Sequence, residues 1–226
     1  MSATEANILP SAPDSRVMAH RLSPWCFCRA KRALDVLCSI TLILATLPLM
    51  AIVAMLIKST SPGPALFRQR RLGKNGGRFQ LLKFRTMLHG RRALGLGLTR
   101  HGDPRVTRVG RLLRKWKLDE LPQLFNVLCG EMSLVGPRPD LPKYFQGLRA
   151  EQRLVLSLSP GMTGAASLRF RNEEMLLAEV TPEQLESFYV NTLLPQKIEL
   201  ELEYARGASM FSDATMLLRT AAALLH

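Results

Sequence analysis

The feature that most constrains this chain is an uncharged apolar run from about Val36 to Ile57, with Lys31 and Arg32 before it and Lys58 after it. A helix of roughly 20 apolar residues covers a hydrocarbon core about 30 Å thick, so the run is long enough to cross a bilayer. It starts too late and runs too long for a cleaved secretory signal, and so belongs to the mature protein. Pro48 stands near its middle. A proline there deletes a backbone hydrogen bond and clashes with the preceding turn, so the helix should kink or break, with Thr46 placed to satisfy a freed carbonyl. Cations at both ends give the positive-inside rule no preferred side, which leaves a single span and a re-entrant hairpin equally open.

A block of positive charge follows. Between Arg68 and Lys117 there are sixteen Lys and Arg residues and one acid, Asp103, in a chain of 226 residues with a net charge of +13. The excess points to an anionic partner: nucleic acid, an acidic membrane surface or a phosphate-rich substrate. The length suits one catalytic domain plus an anchor. Residues 1 to about 29 have no helical or alternating period and are expected to be a disordered tail, which leaves 30–60 as anchor and 61–226 as catalytic domain. Cys26, Cys28, Cys38 and Cys129 complete no zinc site and read as free thiols. His20, His89, His101 and His226 have neither ligand spacing nor triad companions, and no glycine-rich Rossmann or Walker loop occurs. ATP- and NAD-binding folds, zinc chemistry and Ser-His-Asp catalysis therefore lose support.

Past the anchor, Ala65–Leu72 and Arg78–Met87 read as strands of a hairpin joined through Gly73 to Gly77. In the second strand the period of two places Phe79, Leu81, Lys83, Arg85 and Met87 on one face. Lys83 and Arg85 then project side by side, which suits a diphosphate and equally a solvated basic strand. His89 to Gly102 is Gly-rich and irregular. Val106, Val109, Leu112, Leu113 and Trp116 recur at helical spacing among arginines, as in a helix lying on anionic headgroups or against nucleic acid. A further helix should start near Asp119 and end at Gly130. Thr181-Pro182-Glu183-Gln184 forms a capping box that opens a helix toward Arg206, bent by Pro195, and Ser212 to His226 reads as a last apolar helix.

Asp119 and Glu120 directly follow the cations Arg114, Lys115 and Lys117. Such a pair permits divided labour, one carboxylate attacking phosphorus and the other holding a divalent cation, since Mg2+ binds one or two carboxylates plus phosphate oxygens. The same pair also fits the first turn of a helix, where acids meet the positive end of the dipole. In Ser133-Leu134-Val135-Gly136-Pro137-Arg138-Pro139 an arginine is fixed between two prolines, a rigid display suited to phosphate or a pyrimidine edge, or simply an exposed turn. Ser159 to Gly164, SPGMTG, is a second turn-rich element.

Taken together, KRALDVL ahead of the apolar run, KFRTM at Lys83 to Met87, SPGMTG, and DPRVTRVGRLLRKWKLDELPQLFNVLCGEMSLVGPRP from Asp103 to Pro139 resemble the bacterial sugar transferase family. These are the monotopic polyprenyl-phosphate phosphoglycosyl transferases, and the resemblance covers about residues 30 to 220. It implies an α+β, mostly helical monotopic membrane protein, with a re-entrant membrane helix broken at Pro48, a small β-hairpin and amphipathic interfacial helices. It further implies that Asp119 attacks a UDP-sugar, releases UMP and passes the phosphosugar to undecaprenyl phosphate, with Glu120 holding Mg2+. Lys83, Arg114 and Arg138 match positions where the family places cations, and Asp213 matches a late family acid. With Arg85 beside Lys83 and Pro137 bracketing Arg138, these form the expected substrate-binding set.

The partners implied are a UDP-sugar, a polyprenyl phosphate and membrane lipid, not nucleic acid, with apolar C-terminal faces left for lipid or a homodimer. The implied place is the cytoplasmic face of a bacterial inner membrane, at the start of glycan or exopolysaccharide assembly. Many relatives follow SPGMTG with Trp-Ala-Gln-Val-Asn-Gly, whereas Ala165-Ala166-Ser167-Leu168-Arg169-Phe170 stands here, a departure that bears on sugar choice. Only a short tail precedes the anchor, as in the minimal catalytic form. Two other readings compete: a membrane-anchored basic binding protein without turnover, and a single-displacement enzyme in which Asp119 only ligates metal.

Overall fold

The computed structural model describes residues 22–88 and 98–225, so the expected tail over 1–21 and most of the Gly-rich loop, 89–97, lie outside the described residues. The apolar run forms α1, a helix of 32 residues from Arg29 to Thr60, roughly 48 Å long at 1.5 Å per residue. Cys28 caps its start, the Sγ accepting from Lys31 N at 3.3 Å. The expected break at Pro48 is absent, since the helix is continuous across that residue. Thr46 donates its hydroxyl to the Leu42 carbonyl at 2.7 Å, not to the Leu44 carbonyl that proline leaves without a donor.

Packing explains the continuity. Asp35, Ser39, Ile43, Met50, Val53 and Ile57 form a buried stripe along both halves of α1, and this contact offsets the roughly 3 kcal/mol that an interior proline costs. The other faces stay apolar and open: Leu37, Leu44, Leu47, Ile52 and Met55 are each more than half exposed.

Both ends of α1 are tied to the same body. Near its start, Arg32 donates to the carbonyls of Val127 and Leu128 at 2.6 and 2.8 Å, and Asp35 Oδ1 accepts from Leu134 N at 3.1 Å. At its far end, Arg85 donates to the carbonyls of Ser61 and Pro62, each at 2.7 Å. The stretch just before α1, expected in the disordered tail, is folded from Leu22 onward. Pro24–Phe27 is a 3-10 turn capped by Ser23, Ser23 N reaches Ala205 O at 2.9 Å, and Leu22 is buried.

The hairpin forms as β1 (Leu66–Leu72) and β2 (Arg78–Phe84), antiparallel with Leu66 opposite Phe84 and Leu72 opposite Arg78. Then come α2 (Arg108–Lys115), a 3-10 turn at Leu118–Glu120, α3 (Gln123–Cys129) and β3 (Ser133–Val135). Beyond them lie β4 (Gly161–Thr163), α4 (Ala165–Arg169), α5 (Glu173–Ala178), α6 (Leu185–Phe188), α7 (Leu194–Arg206) and α8 (Met210–Leu225). The capping-box helix starts later than expected: residues 181–184 are a turn, and a π-turn at Tyr189–Leu193 separates α6 from α7. Pro195 sits in the first turn of α7, where its missing N–H costs least, and the π-turn absorbs the change of register before it.

One core cluster joins α1 to Phe79, Leu81, Phe84, Leu113, Leu124 and Val127. The other gathers Tyr144, Phe145, Leu154, Leu158, Leu185, Tyr189, Ile198 and Leu202. Between them, β3 pairs parallel with β4, Ser133 opposite Gly161 and Val135 opposite Thr163, which brings the Pro-Arg-Pro segment beside SPGMTG. The approach needs glycine: a Cβ on Gly161 would lie 2.2 Å from Gly136 N.

Glu201 braces this junction, accepting from Ala166 N at 2.9 Å while 3% exposed. Burial pushes its carboxyl from 4.5 up to about 7, against the pull of the Ala166 and Ala165 amides. A carboxyl raised on folding contributes stability that is fully present below its unfolded value and lost as pH rises through the folded one. The stability of the protein should therefore fall as pH rises from 4.5 through about 7, by about 3 kcal/mol at most. Glu201→Gln keeps the acceptor and should remove that fall. Melting curves from pH 5 to 8 with equal slopes in both proteins would rule this out.

Candidate active site

The carboxylate pair is held by a turn that sequence periodicity does not show. α2 ends at Trp116, and Lys117 takes a left-handed conformation with φ 53°, uncommon for a residue with a side chain. The chain then winds through the 3-10 turn, Glu120 N reaching Lys117 O at 3.1 Å. Asp119 and Glu120 thus precede α3 rather than open it, and both are buried, 6% and 8% exposed.

Glu120 is gripped from two sides. Arg138 forks onto it, Nη2 to Oε1 at 2.5 Å and Nη1 to Oε2 at 3.2 Å, and Lys83 Nζ reaches Oε1 at 3.2 Å. Burial alone would raise this carboxyl, but Arg138 and Lys83 overcome it and hold it well below the ordinary range. Lys83 itself is lowered by burial, with Glu120 pulling the other way. Arg138 is raised, chiefly by the Glu120 charge.

Asp119 differs. Its Oδ1 is buried with no hydrogen-bond partner, a costly state for a carboxylate unless something else is to meet it. Burial and then the neighbouring Glu120 charge raise its carboxyl, opposed by Lys83, Arg114 and Lys117. The result is one neutralised carboxylate beside one with a buried, unpartnered oxygen, ringed by cations.

The structure therefore brings together Lys83, Arg114, Asp119, Glu120 and Arg138. Arg85 is not among them: β2 ends at Phe84, alternation stops there, and the guanidinium turns into the body to cap α1. Asp213 is also elsewhere, accepting from Trp25 Nε1 at 2.9 Å, Lys31 Nζ at 2.5 Å and Tyr204 OH at 2.7 Å. It fastens the start of α1 to α7 and α8. Pro137 lines the same cleft as Asp213 and accepts from Gly161 N at 2.8 Å, so it shapes the turn that carries Arg138.

Other groups near the site escape sequence reasoning. Asp140 accepts from Arg71 at 3.1 Å and from the Tyr189 hydroxyl, and Lys197 links Tyr189 to Glu173 at 3.3 and 3.0 Å. This buried network anchors the chain two residues beyond Arg138. The residues come from β1, the π-turn and α7, so no local spacing joins them. Lys117 had a partial signal in the cation run, but its left-handed backbone had none.

A description of bacterial sugar transferases as a family matches residues 27–226, and the chain belongs to that family. It is 40% identical over 198 residues to a UDP-glucose:undecaprenyl-phosphate glucose-1-phosphate transferase of Caulobacter vibrioides, covering 86% of this chain and 69% of that protein. It is also 40% identical over 197 residues to an undecaprenyl-phosphate glucose phosphotransferase of Komagataeibacter xylinus, covering 84% of this chain and 35% of that one. Over 110 residues, 49% of this chain and 26% of the relative, it is 49% identical to a UDP-N-acetylgalactosamine-undecaprenyl-phosphate N-acetylgalactosaminephosphotransferase of Aeromonas hydrophila. The chain thus spans about two thirds of the first relative's length and about a third or less of the other two.

Proposed function

We propose that this protein transfers a sugar-1-phosphate from a UDP-sugar to undecaprenyl phosphate, releasing UMP, through a phosphosugar carried on Asp119. The observation that carries this reading is the buried Asp119 Oδ1, unpartnered among cations, within a family whose named members act on undecaprenyl phosphate. An Asp119 oxygen attacks the sugar-bearing phosphorus, the bond from that phosphorus to the bridging oxygen breaks, and UMP leaves with the electron pair. An oxygen of undecaprenyl phosphate then attacks the same phosphorus and frees Asp119. In this reading Lys83, Arg114 and Arg138, the cations around Asp119 and Glu120, balance the charge that builds on the phosphoryl oxygens, so catalysis is positioning plus electrostatics.

Among the described residues no cluster of three or more His, Cys, Asp or Glu side chains could hold a metal on its own. The unpartnered Asp119 Oδ1 fits Mg2+, which takes one or two carboxylates and draws the rest of its shell from phosphate and water, and Glu120 would join it by giving up part of its pairing with Arg138 and Lys83. Bound there, Mg2+ would neutralise the diphosphate.

The fit to a membrane rests on α1. Its buried stripe runs from Asp35 to Ile57 and both ends hold the same body, whereas a simple span would leave some 30 Å of helix clear of that body. The exposed leucines of α1, with Leu112 and Trp116 on α2 and Phe211 and Leu218 on α8, suit an anchor that dips into one leaflet and returns through a bend at Pro48 that leaves the helix unbroken, on the cytoplasmic face of a bacterial inner membrane. In a variant with its native cysteines replaced by serine, Ala30→Cys and Ser59→Cys should both resist a membrane-impermeant maleimide in intact spheroplasts and both react in inverted vesicles. Labelling of either one from outside would contradict the re-entrant anchor.

Incubation of purified protein with Mg2+, undecaprenyl phosphate and a panel of UDP-sugars tests the activity itself. UMP release that depends on the lipid phosphate is expected with at least one donor. Salt-sensitive binding of anionic lipid with no UMP release from any donor would favour the non-catalytic binding protein.

A further inference from the structure

Arg114 reaches the site by a contact that fixes its helix. A Cβ on Gly110 would lie 2.1 Å from Thr86 O, so only glycine lets α2 sit this close to the chain leaving β2. Thr107, the cap of α2, donates its amide to that same carbonyl at 3.0 Å. One turn beyond Gly110, Arg114 Nε then donates to Thr86 Oγ1 at 3.0 Å. From the opposite side, Arg114 Nη1 donates to Glu174 Oε1, also at 3.0 Å. Glu174 belongs to α5, and its own carbonyl accepts from His101 N at 2.9 Å.

A guanidinium has five N–H donors in a rigid plane. Two are used here, one toward Thr86 and one toward Glu174, and this fixes the plane and leaves the rest for a ligand. Arg114 is also tied to the carboxylate turn, since its carbonyl accepts from Lys117 N at 3.2 Å. Thr86 is buried at 7% exposure and cannot move to follow the arginine. Glu174, its side chain 48% exposed, contributes little to stability, because exposed ion pairs are worth roughly 0–1 kcal/mol. An ion pair that adds so little to the fold and orients a site cation is placed for function.

We infer that Glu174 and Thr86 are positioning residues for the reaction, clamping the Arg114 guanidinium from two edges so that its free N–H groups face the phosphoryl group at Asp119. This rests on the transferase reading given above. It also gives α5, which follows the stretch where the chain departs from many relatives, a role in setting the site.

The test is steady-state UMP release by wild type, Glu174→Ala and Glu174→Gln, each also made in an Arg114→Gln background. Glu174→Ala should lower kcat roughly tenfold, as expected when a catalytic contact is loosened rather than deleted, with KM for the UDP-sugar changed less than about twofold. Glu174→Gln keeps an acceptor oxygen and should recover most of the loss. In the Arg114→Gln background Glu174→Ala should have no further effect. Near-wild-type kcat for Glu174→Ala, no recovery with glutamine, or an equal loss in both backgrounds would each overturn the inference. A wild type that releases no UMP would instead overturn the transferase reading, so the two failures are distinct.

Discussion

Asp119→Asn should abolish UMP release, lowering it by a factor on the order of 10³ or more, because an amide oxygen is a poor nucleophile toward phosphorus. The variant should fold. Asparagine is nearly isosteric, and the oxygen it keeps at the buried Oδ1 position has no partner to lose. Burial raises the wild-type carboxyl, so replacing it with a neutral group should leave stability unchanged or higher. Binding of the UDP-sugar, carried by Lys83 and Arg138, should persist, and this separates loss of the nucleophile from loss of the site. Activity near the wild-type level would remove Asp119 as nucleophile and leave it at most a metal ligand.

The other large effect is expected at Arg138, with consequences for both stability and rate. Its fork onto Glu120, at 2.5 and 3.2 Å, is the main reason a buried carboxylate tolerates its charge. Removing one partner of a buried pair leaves the other uncompensated. Lys83 remains, and the Arg138 side chain is 32% exposed, so Arg138→Ala should cost about 3 kcal/mol, the low end for such pairs. Adding Glu120→Gln removes the stranded charge, so the double variant should melt higher than Arg138→Ala alone. The rate should fall by roughly 10²-fold through lost stabilisation of the phosphoryl oxygens. A double variant no more stable than the single one would show that the fork does not hold Glu120 in place.

How far the site could be read in the sequence follows from how local each part is. Asp119, Glu120 and Arg138 lie within one continuous block, and Lys83 in a short motif upstream, so their resemblance to the family was visible residue by residue. Arg85 shows the limit of periodicity: the alternation that pairs it with Lys83 holds only while β2 lasts, and β2 ends one residue earlier. Asp213 was visible as an acid at a matching position, but its partners Trp25, Lys31 and Tyr204 are far apart in the chain. Thr86 lay inside the KFRTM motif, but nothing marked it as the contact of Arg114, and Glu174 had no signal at all, since what matters is the close approach that Gly110 allows.

The fold divides in the same way. The long apolar helix α1, the hairpin, α2 and α8 followed from apolar runs and period. The continuity of α1 through Pro48 did not, because local chemistry favours a break there and tertiary packing along Ile43, Met50 and Val53 prevails. The cap on the far end of α1 comes from Arg85, beyond a turn and both strands of the hairpin. The ordered stretch from Leu22 to Cys28 reads as tail by composition, and is held by contacts to α7 that only the fold supplies.

The most direct measurement is the intact mass of the protein after incubation with Mg2+ and an accepted UDP-sugar in the absence of polyprenyl phosphate, followed by peptide mapping. The account predicts a mass increase of one phosphosugar, located on the peptide bearing Asp119, absent from Asp119→Asn, and discharged when undecaprenyl phosphate is added. An unmodified protein that releases UMP only when the lipid phosphate is present would contradict it and point to direct displacement on the donor.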